Sequence, residues 1–102
     1  FEAEELVTDM RLRDVSQRLA AALLRYGEEI VRQAEGEEAE LVSGVQVRLP
    51  MSWAELALRL STTPETLSRR LKALVAQGLI RQKSQRVLII KDPEGLRDLA
   101  ET

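Results

Sequence analysis

Apolar residues recur along the first third of the chain at the spacing of one helix face. Val15, Leu19, Leu23, Tyr26 and Ile30 stand at offsets of 0, 4, 8, 11 and 15, which predicts an amphipathic helix over RDVSQRLAAALLRYGEEIVRQA. Asp14 is placed to cap it, with Gln17 three residues on in the spacing of a capping box. Residues 1–13, FEAEELVTDMRLR, read as weakly helical, with Leu6 and Met10 at i, i+4. The chain opens with Phe1 and not Met, so we expect a segment of a longer protein, with 1–13 as the end of a linker or dimerisation helix and 14–102 as one domain.

The pattern then changes period. EGEEAE (35–40) is an acidic, solvated loop. In VQVRL (45–49), Val45, Val47 and Leu49 alternate with Gln46 and Arg48, the signature of a half-buried strand that Pro50 ends. Ser52 with Glu55 forms a second capping box, opening a short helix whose inner face is Trp53, Leu56, Ala57 and Leu60. Ser61-Thr62-Thr63 leaves room only for a tight turn. Thr62 or Thr63 caps the next helix, with Pro64 in its first turn, where a missing N–H is harmless. Gly78 closes that helix. LIRQK (79–83) and RVLII (86–90) read as a hairpin around Ser84-Gln85, and Asp92-Pro93 starts a last helix carrying Leu96 and Leu99. Helix, strand, helix–turn–helix, hairpin, helix is the order of a winged helix. The expected fold class is α+β, mainly α, with a small antiparallel β-hairpin as the wing.

Composition excludes several chemistries. The 102 residues contain no cysteine and no histidine, which removes disulfides, thiol nucleophiles, the usual zinc sites and iron–sulfur ligation. No Gly-rich phosphate loop is present, and the paired carboxylates fall in the EGEEAE loop, where nothing would hold or desolvate them, so an enzyme is not expected. Phe1, Tyr26 and Trp53 are too few aromatics for a platform that stacks single-stranded bases. No stretch approaches the ~18 apolar residues of a membrane span, and the expected location is the cytoplasm.

Charge changes the picture further. The net charge is −2, but residues 1–50 carry 11 acidic and 6 basic side chains, whereas Arg59 to Lys91 holds eight basic residues against Glu65 alone. Such a basic block fits a polyanion partner. The plainer alternative is a solvated basic face balanced by acids elsewhere.

A helical wheel sorts the segment after Pro64. With Leu67 at zero, Leu71, Leu74 and Val75 fall at about 40°, −20° and 80°, a compact core stripe. Glu65, Arg69 and Lys72 fall at about 160°, 200° and 140°, on the far side. In a helix–turn–helix this N-terminal half enters the major groove. Arg can bond guanine O6 and N7 together, and Glu can accept from cytosine N4. Thr66, near the helix start, can bond phosphate, and Arg70 and Lys72 suit backbone contacts. Glu65 has two competing roles, as a cap of its own helix and as an i, i+4 partner of Arg69. Lys83 and Arg86 flank the hairpin tip where a wing meets phosphates, or they simply blunt an edge strand.

These stretches resemble the C-terminal DNA-binding domain of the Crp/Fnr family of bacterial transcription regulators. DVSQRLAAALL matches the helix leading into the domain, MSWAELALRLSTTPETLSRRLKALVAQGLI the helix–turn–helix, RQKSQRVLII the wing and DPEGLRDLA the closing helix, together most of residues 14–100. The most specific part, Glu65-Thr66-Leu67-Ser68-Arg69, resembles the Fnr side of the family, whose Glu, Ser and Arg read a TTGAT-like half-site. Pro64 stands where other members carry a further base-reading Arg, so that contact is absent. Ser61 stands where the turn commonly has Gly.

The resemblance implies base reading by Glu65, Ser68 and Arg69, and backbone contacts by Ser52, Thr63, Thr66, Arg70, Lys72, Lys83 and Arg86. It implies palindromic double-stranded DNA and RNA polymerase as partners, a homodimer in the full-length protein and no membrane association. No cofactor is expected in this segment, and the effector of a separate N-terminal domain is not readable from it. The competing reading is a winged helix used for protein–protein contact, which should expose an apolar anchor on the helix face.

Overall fold

The computed structural model describes the backbone of residues 2–101 and the side chains of residues 15–101. In chain order it contains α1 (Glu2–Glu35), β1 (Val45–Arg48), α2 (Trp53–Arg59), α3 (Pro64–Ala76), β2 (Ile80–Ser84), β3 (Val87–Ile90) and α4 (Pro93–Glu101). This is the expected order, mainly helical, with the helix–turn–helix formed by α2 and α3.

One start signal is overridden. Asp14 does not cap a helix, because α1 runs through it without a break. Residues 2–26 contain neither Gly nor Pro, so nothing interrupts the i→i−4 ladder, and continuing it satisfies the N–H groups that a cap would serve. Leu6 and Met10 lie outside the residues whose side chains are described. Further on, Val15, Leu19 and Leu23 are buried as their spacing predicts, with Tyr26 and Ile30 half-buried against the core. Gly27 of α1 lies against Ile90 of β3 and Leu41. A Cβ there would lie 2.7 Å from Ile90 Cδ1 and 3.1 Å from Leu41 Cδ1.

The hairpin belongs to a three-stranded antiparallel sheet of order β1-β3-β2. Val47 pairs with Leu88, and Ile80 with Ile90. These four side chains are buried on the inner face. The opposite face carries Gln46 and Arg48 on β1, Val87 and Ile89 on β3, and Arg81 on β2, following the period-2 alternation of a pleated strand. The turn falls at Gln85-Arg86, not at Ser84-Gln85, and Ser84 pairs with Val87. A bulge between Gln82 and Ser84 is the cause: it adds Lys83 to β2 and carries the loop one residue along.

The core draws on every helix. Leu19 and Leu23 of α1, Leu56 of α2, Leu67 and Leu74 of α3 and Leu96 of α4 are almost fully enclosed, as is Leu88 of β3. Val75, expected in the core stripe, is 39% exposed at the stripe's margin. Asp92 caps α4 by accepting from the Gly95 N–H at 3.0 Å, and α4 packs along α1.

Candidate nucleic-acid interface

Both helices of the helix–turn–helix are fixed by their ends. The Ser52 hydroxyl accepts from the Glu55 N–H at 3.2 Å, starting α2. At its other end the Ser61 N–H donates to the Leu58 carbonyl at 3.1 Å and the Thr62 N–H to the Ala57 carbonyl at 2.9 Å. This is the Schellman pattern, and it forces Ser61 into the left-handed region at φ 57°. The same pattern ends α3, where Gly78 takes φ 77° and the Leu79 N–H reaches the Leu74 carbonyl at 3.1 Å. From α1, Arg18 Nη1 donates to the Leu60 carbonyl at 2.7 Å, supporting the last turn of α2.

Thr63, not Thr62, caps α3. Its hydroxyl oxygen accepts from the Thr66 N–H at 3.2 Å, and the same hydroxyl donates to Thr66 Oγ1 at 3.1 Å. Pro64 then occupies the first turn. Leu67, Leu71 and Leu74 anchor the helix, which leaves Glu65, Ser68, Arg69 and Lys72 exposed together. The cap and stripe therefore determine which side chains α3 offers to solvent.

Glu65 neither caps α3 nor forms an ion pair with Arg69; Thr63 fills the first role, and the second contact is absent among the described residues. Both side chains are thus free to meet a ligand. On α2, by contrast, Glu55 lies 3.9 Å from Arg59, a weak exposed pair. Arg70 differs from its neighbours: it is half-buried, and its Nε is enclosed without a hydrogen-bond partner.

The wing is tied down beside α3. Trp53 Nε1 donates to the Gln85 carbonyl at 2.6 Å, and Arg86 Nη2 to the Leu49 carbonyl at 3.2 Å. The Leu49 N–H donates in turn to the Arg86 carbonyl at 2.9 Å. Between wing and helix lies a cleft lined by Trp53, Pro64, Ser68, Gln82 and Gln85, among others. Lys83 Nζ donates to Gln46 Oε1 at 3.3 Å, reaching across β3.

The structure therefore brings Glu65, Ser68, Arg69 and Lys72 onto one exposed face, with Thr63 and Thr66 at its start. Ser52 is committed to its cap, while Lys83 and Arg86 each hold one contact within the protein. Sequence reasoning missed Gln82 and Gln85, which border the same cleft as Ser68. Their proximity depends on contacts between residues about thirty positions apart, for which no local pattern exists.

The Crp-like helix-turn-helix domain family matches residues 17–99. A protein described as "Probable transcriptional regulator flp" from Lacticaseibacillus casei is 44% identical over 54 residues, 53% of this chain and 24% of that one. A transcriptional regulator of the CRP/FNR family from Thermus thermophilus is 28% identical with a TM-score of 0.61, over 98% of this chain and 48% of that structure. A CooA mutant from Carboxydothermus hydrogenoformans is 26% identical with a TM-score of 0.68, over 84% of this chain and 36% of that structure. The chain thus spans about a quarter of its curated relative and between a third and a half of the solved chains. With a capped α3 presenting polar residues beside a tethered wing, the chain belongs to the Crp-like helix-turn-helix domain family, the DNA-binding domain of CRP/FNR-type transcriptional regulators.

Proposed function

We propose that this domain reads TTGAT-like half-sites of palindromic DNA through Glu65, Ser68 and Arg69 on α3. The observation carrying this reading is the grouping of these three side chains on the exposed N-terminal half of a capped helix, with Glu65 and Arg69 making no ion pair with each other. Arg69 is assigned the guanine edge and Glu65 the cytosine amino group, the pairings that their donor and acceptor patterns fit. Lys72, Thr63, Thr66 and Arg70 contact the phosphate backbone beside them, with Ser52, Lys83 and Arg86 at the α2 start and the wing. These contacts fix register and carry no sequence information.

In the same reading, residues 1–13 end a dimerisation helix, and two copies place their α3 helices about one helical turn apart, ~34 Å. The regulator acts in the cytoplasm and contacts RNA polymerase. A protein-docking role for α3 is disfavoured, since its outward face carries Glu65, Arg69 and Lys72 and no large apolar anchor.

Fluorescence anisotropy tests the assignment on two labelled duplexes, a TTGAT-N4-ATCAA palindrome and its scramble, over a range of salt concentrations. The expected result is preference for the palindrome that Arg69→Ala abolishes. Unchanged preference in Arg69→Ala overturns the assignment of that residue. Equal binding of both duplexes by the unmodified protein overturns the half-site.

A further inference from the structure

We infer that Arg18 of α1 is a positioning residue for DNA reading, acting through the Leu60 carbonyl at the end of α2. The carbonyls of a helix's last turn lack partners within the helix. For Leu60 the residue four positions on is Pro64, which has no N–H to give. A donor from elsewhere in the fold fills the gap: Arg18 Nη1 reaches the carbonyl at 2.7 Å across 42 positions of sequence. The bond is charge-assisted, and it lies at a helix C-terminus, where a cation is favoured. With 7 residues, α2 is too short to hold its last turn by its own hydrogen bonds.

The peptide held in this way is the first of the turn that delivers α3. Ser61 follows it in the left-handed region at φ 57°. The Thr62 N–H then donates to the Ala57 carbonyl at 2.9 Å, and Thr63 caps α3. Rotation of the Leu60 peptide is passed through this short turn to the helix that carries Glu65, Ser68 and Arg69. α1 also packs directly on α3, so the anchor and the helix it aims share one support. At the other end of α2, Trp53 ties the wing. Arg18 and Trp53 thus hold opposite ends of one short helix. Trp53 fixes the hairpin and Arg18 the direction of α3, and a reader of base edges needs α3 in place before the duplex arrives.

This inference rests on DNA reading by the domain but not on the TTGAT half-site, so its reference duplex is one that the unmodified protein enriches from random sequence. Enrichment of a different half-site overturns the proposed one and leaves this inference standing; enrichment of no sequence overturns both. Arg18→Gln keeps a polar side chain at an exposed helix position, where Gln is a good helix former, but falls short of the carbonyl. Arg18→Lys keeps a cation and a donor. Affinities for the selected duplex and its scramble are measured well below the melting temperature, alongside amide hydrogen exchange of the free protein. Loss of a hydrogen bond from a charged donor lets α3 leave its binding pose, so Arg18→Gln should weaken the selected duplex by roughly tenfold. The scramble should lose much less, because charge holds it without a fixed register. Exchange at Ser61 and Thr62 should quicken, with that of the sheet unchanged. Arg18→Lys should recover most of both effects. A lower melting temperature with an unchanged ratio between the duplexes overturns the inference, since Arg18 would then serve stability alone. So does an equal loss on both duplexes, which would make Arg18 a phosphate contact. A ratio that falls without faster exchange at the turn overturns it as well.

Discussion

The indole N–H of Trp53 donates to the backbone carbonyl of Gln85 at 2.6 Å, so the first residue of α2 holds the tip of the wing. The consequence reaches α3. Thr63 and Pro64 follow α2 by a three-residue turn, which makes α2 a common support for the recognition helix and the hairpin. Arg86 and Leu49 add two further bonds at the same junction. A wing held at three points presents its cations in a fixed relation to Arg69, so less ordering remains to be done when DNA binds.

Trp53→Phe should separate this tether from the packing of the ring. Phe keeps most of the aromatic contact and loses the N–H, which removes one hydrogen bond worth about 1 kcal/mol. For a domain of this size the melting temperature should fall by about 4–8 °C. On DNA, affinity for palindrome and scramble should drop together, leaving their ratio intact, if the wing contacts phosphates only, as proposed. A changed ratio would mean that Trp53 also orients α3.

Ser61 and Gly78 occupy the same place at the ends of successive helices, and only one of them is glycine. Their φ values are 57° and 77°, in a region that disfavours a side chain by about 1 kcal/mol. Ser61→Gly should therefore stabilise the domain by roughly 0.5 kcal/mol, after the greater freedom of glycine in the unfolded chain is allowed for. Gly78→Ala should destabilise it by roughly 0.5 kcal/mol, the left-handed penalty less the smaller freedom of alanine in the unfolded chain. A Cβ at Gly78 meets nothing within 4 Å, so that loss would be conformational and not steric. Thermal melts of the two variants, measured side by side, should shift in opposite directions.

How much of this was legible in the sequence follows from the range of each interaction. The helix–turn–helix was readable because its determinants are local: the cap at Ser52, a cap at Thr62 or Thr63 that the structure resolves to Thr63, Pro64 in the first turn, Gly78 at the end and leucines at helical spacing. The exposed face bearing Glu65, Arg69 and Lys72 followed from that spacing, whereas Ser68 entered only through the family resemblance. Features set by distant partners were not readable. The bulge at Lys83 moved the wing turn to Gln85-Arg86, and the pairing of β1 with β3 joined segments some forty residues apart. Arg86 illustrates the difference well. Its place near the hairpin tip is a local property of the sequence, but its bond to the Leu49 carbonyl depends on how the wing docks. At Asp14 a local cap signal was present and lost to the uninterrupted ladder of α1.

Lys72 and Arg69 share the exposed face of α3 and should nevertheless respond differently to truncation. Arg presents a planar fork that matches two acceptors on one base, whereas Lys carries a compact charge suited to phosphate. Arg69→Ala should lose about 1–3 kcal/mol on the palindrome and much less on the scramble, collapsing the ratio between them. Lys72→Ala should weaken both duplexes alike and lower the salt slope by about 0.9. Lys72 is exposed and makes no polar bond among the described residues, so its loss should leave the fold intact and the change in slope can be read as a lost phosphate contact. Palindrome preference falling in Lys72→Ala as far as in Arg69→Ala would show that Lys72 also faces a base edge, and α3 would then sit in the groove rotated towards its lysine side.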